Sequence, residues 1–218
     1  MNTNYIIIGD SITYGIGDFE SSGWASMFKS YIVNKDDSKS CNNYVHIAGF
    51  PGATSSDILD KIDSILQAFL HNEFTNTVIL SIGVNDTQVF NGKTKSTIEE
   101  YKSNMQKIIT HVTDKECNLV ILGLTRIESA DKFLWKPNKY YDNNIISEYD
   151  RDLKLILDYE TELKELCQNN KVKYIPMQDT LENDDFIDGL HPNHKGHKKI
   201  FECVVENVKL LWYNMPTI

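Results

Sequence analysis

Tyr5-Ile6-Ile7-Ile8-Gly9-Asp10-Ser11 is the stretch that decides the fold. Its apolar run is a strand candidate that stops at Gly9. Short apolar runs of this kind recur along the chain and alternate with longer amphipathic ones. Further strands are expected at Tyr44–Ile47, Thr77–Ile82, Asn118–Leu122 and Val172–Ile175. Helices are expected over Trp24–Val33, after a capping box at Thr54-Ser-Ser-Asp57, after a second box at Ser96-x-x-Glu99, over Ile145–Cys167 and over Lys195–Trp212. The last of these carries Ile200, Phe201, Val204, Val205, Val208, Leu211 and Trp212 as one apolar stripe. Five strands alternating with five helices imply right-handed crossovers and a parallel sheet covered on both faces. The fold class expected is therefore α/β, a three-layer α/β/α sandwich around a five-stranded parallel sheet. There is no internal repeat, low-complexity tract or linker-like shift in composition, so residues 1–218 are expected to form a single domain.

The 218 residues suffice to bury one sizeable core. A hydrophobic share of 41% and a charged share of 24% are ordinary for a globular chain. The formal net charge of −9 argues against nucleic acid or an anionic membrane as a general partner, because both reward clustered Lys and Arg. The opening residues lack a basic segment followed by a long apolar one, and no apolar run is long enough to span a bilayer. A cytoplasmic location is expected on that ground. Cys41, Cys117, Cys167 and Cys203 lie far apart and read as free thiols of a reducing compartment.

In open parallel sheets, sites form outside the carboxyl ends of the strands. Four clusters fall there: Gly9-Asp10-Ser11-Ile12, Gly49-Phe50-Pro51-Gly52-Ala53-Thr54, Gly83-Val84-Asn85-Asp86 and Asp188-Gly189-Leu190-His191-Pro192-Asn193. A serine hydroxyl needs a base to become a nucleophile, and His191 can supply it to Ser11. Asp188, three residues before His191, can hold the second ring nitrogen and stabilise the imidazolium. Donors for an oxyanion are available at the Ser11 N–H, at Gly52 and at the Asn85 amide, with Gly49 a second glycine of the same loop. Asp10 and Asp86 read as local hydrogen bonders.

This ordered set of motifs resembles the SGNH hydrolases, the GDSL lipase/esterase family. Its four name-giving residues correspond to Ser11, Gly52, Asn85 and His191, and the likeness runs from Gly9 to His191. The resemblance implies a flavodoxin-like fold, no metal or cofactor, and hydrolysis of small-molecule esters or thioesters by a Ser11–His191–Asp188 triad. It leaves open whether the acyl group is borne by a lipid, a thiol or a sugar, as in a carbohydrate O-acetyl esterase. The oligomeric state is open as well.

Rival readings rest on less. A dinucleotide loop would need a third glycine after Gly15-Ile16-Gly17, where Glu20 stands instead. A flavodoxin-like ligand-binding or redox module rests on fold alone. His191, His194 and His197 could suggest a metal site with Asp188, but Pro192 and Gly196 interrupt any common helical face. His194 and His197 are expected at the start of the last helix, His194 exposed. The α/β-hydrolase reading fails for want of a G-x-S-x-G elbow. The segment Thr125–Asp142 lacks periodicity and carries Phe133, Trp135, Tyr140 and Tyr141, which are expected to border the substrate pocket or a subunit contact.

Overall fold

A computed structural model describes residues 2–34, 43–90, 93–127, 149–150 and 153–213. Strand β1 (Thr3–Gly9) leads through the one-turn helix α1 (Ser11–Tyr14) to α2 (Trp24–Asn34) and β2 (Asn43–Gly49). Helix α3 (Ser55–Phe69), β3 (Thr75–Ser81), the two-residue strands β4 (Val89–Phe90) and β5 (Lys93–Thr94), and α4 (Ile98–Thr113) follow. The chain continues through β6 (Asn118–Leu122), β7 (Tyr149–Asp150), α5 (Leu153–Asn169), β8 (Lys173–Ile175) and α6 (His194–Tyr213).

The main sheet has the order β2-β1-β3-β6-β8, and every pairing in it is parallel. The period of two along β1 splits the core. Ile6 and Ile8, with Val78, Leu80 and Ile121, pack under α3, α4 and α5. Tyr5 and Ile7, with Ile79, Val120 and Leu122, pack under α2 and α6. This is the expected α/β sandwich. Because β1 lies at the centre of the sheet's first three strands, Gly9 is level with both Gly49 and Ser81. The loops that follow β1, β2 and β3 therefore open at one edge, side by side.

Two expectations need correction. The second capping box is used one residue later: Thr97 caps α4 and exchanges bonds with Glu100, while the Ser96 hydroxyl donates to Asp86 instead. The helix expected from Ile145 begins, among the described residues, at Leu153, and Tyr149 pairs with Phe90 as a strand. Tyr149 has helical spacing to Leu153 but finds a partner in the ladder of β4. The small antiparallel sheet β5-β4-β7 was not anticipated, since two-residue strands are too short to show a period. Phe133, Trp135, Tyr140 and Tyr141 lie outside the described residues.

Candidate active site

Ser11 owes its place to the turn between β1 and α1. Asp10 caps α1 by accepting from the Ile12 N–H at 2.9 Å, which makes Ser11 the first residue of the helix. A side chain at Gly9 would run into Thr13 and the Ser81 carbonyl, so glycine is what lets the helix sit on the strand end. Ser11 is almost fully buried, as is Asn85.

The segment with Asp188 and His191 is a closed loop. Phe186 and Pro192 form an antiparallel bridge, and the Ile187 N–H donates to the His191 carbonyl at 3.0 Å. Inside it, Asp188 Oδ1 accepts from the backbone N–H groups of Leu190 (3.0 Å) and His191 (2.7 Å). Asp188 Oδ2 lies 2.7 Å from His191 Nδ1. His191 Nε2 lies 3.0 Å from Ser11 Oγ, although the two residues are 180 positions apart. Burial pushes the Asp188 carboxyl up, but the His191 ring and the two backbone donors outweigh it and hold it below its ordinary value. Asn193 then caps α6 by accepting from the Gly196 N–H at 3.0 Å.

Phe50 to Ala53 form a tight turn in which the Ala53 N–H donates to the Phe50 carbonyl at 3.0 Å. Pro51 and Gly52 occupy its centre, and Gly52 has φ +79°. That is the pattern of a type II turn, whose third position needs a positive φ. Gly49 serves differently, because a Cβ there would stand 2.6 Å from the Tyr14 nitrogen, so this glycine lets α1 lie on β2. Asn85 Nδ2 donates to the Ala53 carbonyl at 3.0 Å and lies 3.4 Å from Asp10 Oδ2. Ser11, Gly52, Asn85 and His191 thus come from four loops that the sheet edge and the closing segment bring together.

Behind Asn85 sits a hub that sequence reading undervalued. Asp86, fully buried, accepts from Ser55 Oγ and Ser96 Oγ, each at 2.6 Å, and from the Ser55 N–H at 2.9 Å. Its carboxylate thus faces the positive end of α3. Burial nevertheless pushes its pKa up, and the hydrogen bonds only partly offset that. The Gly-x-Asn-Asp motif marked Asp86 as a local bonder, but its partners lie 31 and 10 positions away.

The three C-terminal histidines take separate partners, so they do not converge on one point. His191 faces Ser11 and Asp188, His194 Nδ1 lies 3.0 Å from Asp18, and His197 bonds the backbone of Ile16 and Trp24. His194, expected to be exposed, is held at the boundary by Asp18. Glu182, Asp184 and Asp185 also cluster, and Lys195 and Lys199 pair with them. A surface groove beside His191 is lined by Gly17, Phe19, Glu20, Ile187, His194 and Lys195 among others, and Phe19 stands 90% exposed on its rim. No helix among the described residues is long and apolar enough to cross a membrane.

Residues 7–199 match the GDSL-like lipase/acylhydrolase family. Among solved structures, the chain is similar to a lipase/acylhydrolase from Enterococcus faecalis, with a TM-score of 0.72, 18% identity and 96% of both chains covered. It is also similar to the psychrotrophic esterase EstA from Pseudoalteromonas sp., with a TM-score of 0.68, 17% identity, and 97% of this chain and 100% of that one covered. A variant of an acetyl-xylooligosaccharide esterase from Geobacillus gives a TM-score of 0.69 at 16% identity over 94% of both chains. No protein of curated function matches. The extent of the family match, on a fold shared with these structures, places the chain in the GDSL-like lipase/acylhydrolase family, and the protein is an acylhydrolase of the esterase type.

Proposed function

We propose that the protein hydrolyses carboxylic esters or thioesters through an acyl-enzyme on Ser11, in a single catalytic domain spanning residues 1–218. The observation that carries this reading is the continuous relay from Ser11 Oγ to His191 Nε2 (3.0 Å) and from His191 Nδ1 to Asp188 Oδ2 (2.7 Å). His191 takes the Ser11 proton as Oγ attacks the acyl carbon, and Asp188 fixes the ring tautomer and stabilises the imidazolium. The tetrahedral oxyanion is met by three donors. The Ser11 N–H lies at the start of α1, and the Gly52 N–H is unused by its own turn. Asn85 has one amide hydrogen on Ala53, while its longer 3.4 Å contact with Asp10 yields to the oxyanion. His191 then protonates the leaving alcohol or thiol. Water, deprotonated by the same ring, attacks the acyl-enzyme and releases the acid.

A second reading narrows the alcohol to a carbohydrate bearing an acetyl group. It is favoured by the groove beside His191, where exposed Phe19 offers a flat apolar face next to Glu20 and His194, and by the likeness to an acetyl-xylooligosaccharide esterase. A sugar ring uses both kinds of surface.

The test is hydrolysis of p-nitrophenyl acetate, butyrate and octanoate by the wild type beside Ser11→Ala, with acetylated xylo-oligosaccharides assayed in parallel by acetate release. Loss of about 1000-fold or more in kcat with Ser11→Ala is expected. Identical progress curves for the two proteins overturn the acyl-enzyme and return the binding-module reading. Preference for the acetylated sugar over the aryl esters selects the second reading.

A further inference from the structure

We propose that His197, together with the Asp18–His194 pair, is a positioning staple that sets the separation between nucleophile and base. The inference rests on the acyl-enzyme reading above. Ser11 and His191 come from opposite ends of the chain, and α6, which follows His191, lies outside the sheet whose ladder fixes β1. Something else must fix their 3.0 Å separation.

His197 lies in the first turns of α6 and is completely buried. Its Nδ1 accepts from the Trp24 N–H at 3.2 Å, and its Nε2 donates to the Ile16 carbonyl at 3.0 Å. That pair of bonds requires a neutral ring with its proton on Nε2. Ile16 in turn donates its own N–H to the Ser11 carbonyl at 3.0 Å. Two hydrogen bonds through one residue therefore connect α6 to the backbone of Ser11. The opposite end of the same connection is covalent, because α6 begins directly after His191, Pro192 and the capping Asn193.

The second tie secures the loop between them. The Asp18 carboxylate is buried and accepts at Oδ1 from the N–H groups of Glu20 (3.0 Å) and Ser21 (3.1 Å) and at Oδ2 from the Gly23 N–H (3.0 Å), with His194 Nδ1 also 3.0 Å from Oδ1. Gly17, inside this loop, packs so closely on the segment of the base that a Cβ there would meet the Pro192 carbonyl and stand 3.4 Å from His191 Cβ. The loop thus packs on the backbone that carries His191. An apolar residue at 197 would fill the volume and strand the Ile16 carbonyl and Trp24 N–H without partners. Burial keeps the His197 ring neutral against the pull of Asp18, with the imidazoles of His191 and His194 adding to the effect.

A misplacement of about 1 Å at the reacting groups costs on the order of a hundredfold in rate. The experiment compares wild type, His197→Leu, His197→Gln and Ser11→Ala on p-nitrophenyl acetate, with thermal melting to verify folding. His197→Leu is expected to lower kcat about tenfold or more with KM within about twofold. His197→Gln, which offers one acceptor and one donor, is expected to recover most of the loss. A folded His197→Leu with wild-type kcat overturns the staple, and so does an equal loss in both variants. If His197→Leu does not fold, Asp18→Asn takes its place: it loosens the loop from the other side, a fall in kcat at unchanged KM is expected, and wild-type kcat overturns the proposal. Should Ser11→Ala match the wild type, the acyl-enzyme reading fails and the staple falls with it; wild-type sensitivity to Ser11→Ala with insensitivity to the staple variants leaves that reading intact and removes only the staple.

Discussion

Two glycines three positions apart illustrate how differently single residues serve this site. Gly52 is demanded by its backbone angle, since a Cβ there meets nothing within 4 Å. Gly52→Ala should cost only the left-handed strain, about 1–2 kcal/mol, and keep its N–H. Gly49→Ala puts a Cβ against the Tyr14 backbone and must push α1 off β2. It should lower stability by about 1–3 kcal/mol and kcat as well, because α1 carries Ser11. Urea unfolding beside the ester assay separates the two effects, and equal behaviour of the two variants contradicts the division of labour. Asn85→Ala, which removes a donor without touching the relay, is expected to cost about 100- to 1000-fold in kcat with little change in KM. Ser11, Asp188 and His191 were legible because each sits in a short motif whose own turn positions it. His197 was not, because its partners lie 173 and 181 positions away.

At the scale of elements, local signals succeeded where nothing distant competed for them. The box at Thr54 and Asp57 forms as written, with the N–H and hydroxyl of Thr54 on Asp57 at 2.8 and 2.7 Å. The sequence Ser96-Thr97-Ile98-Glu99-Glu100 offers two boxes in adjacent registers, and propensity cannot choose between them. Asp86 chooses, by taking the Ser96 hydroxyl for its buried cluster. The same cluster joins the start of α3 to the loop of Asn85, so its removal acts on two elements at once. Asp86→Ala takes away the acceptor of the Ser55 and Ser96 hydroxyls and of the Ser55 N–H in the interior. It is expected to destabilise by about 2–4 kcal/mol in denaturant titration and to lower kcat through the displaced Asn85. Unchanged stability would show that water replaces the carboxylate at no cost. The five main strands were legible as short apolar runs between amphipathic segments, whereas β4, β5 and β7 exist only through one another.

For the molecule as a whole, acid is the informative stress. Burial raises the Asp18 carboxyl, but its three backbone N–H partners and His194 win and hold it at about 2. A carboxylate depressed in the folded state stabilises fully above its unfolded pKa and loses that contribution as pH falls through the folded one. Asp18 therefore contributes an acid limb between about pH 4 and pH 2. Asp188 adds to it in the same direction, while Asp86 and Glu160, raised by burial, work against it. Asp18→Asn should flatten the stability–pH curve in that window, as followed by urea midpoints at successive pH values. An unaltered slope would place the acid sensitivity elsewhere.

The contact between Ser11 and His191, drawn from the turn after the first strand and the loop before the last helix, has a consequence for biosynthesis. The ribosome delivers Ser11 first and the histidine that faces it some 180 codons later. On the proposed mechanism, the emerging chain carries throughout that interval a serine with nothing to activate it, and a polypeptide ending before residue 191 is expected to hydrolyse no ester. On the proposed mechanism, activity begins only when the closing segment docks, which makes the last step of synthesis the one that arms the site.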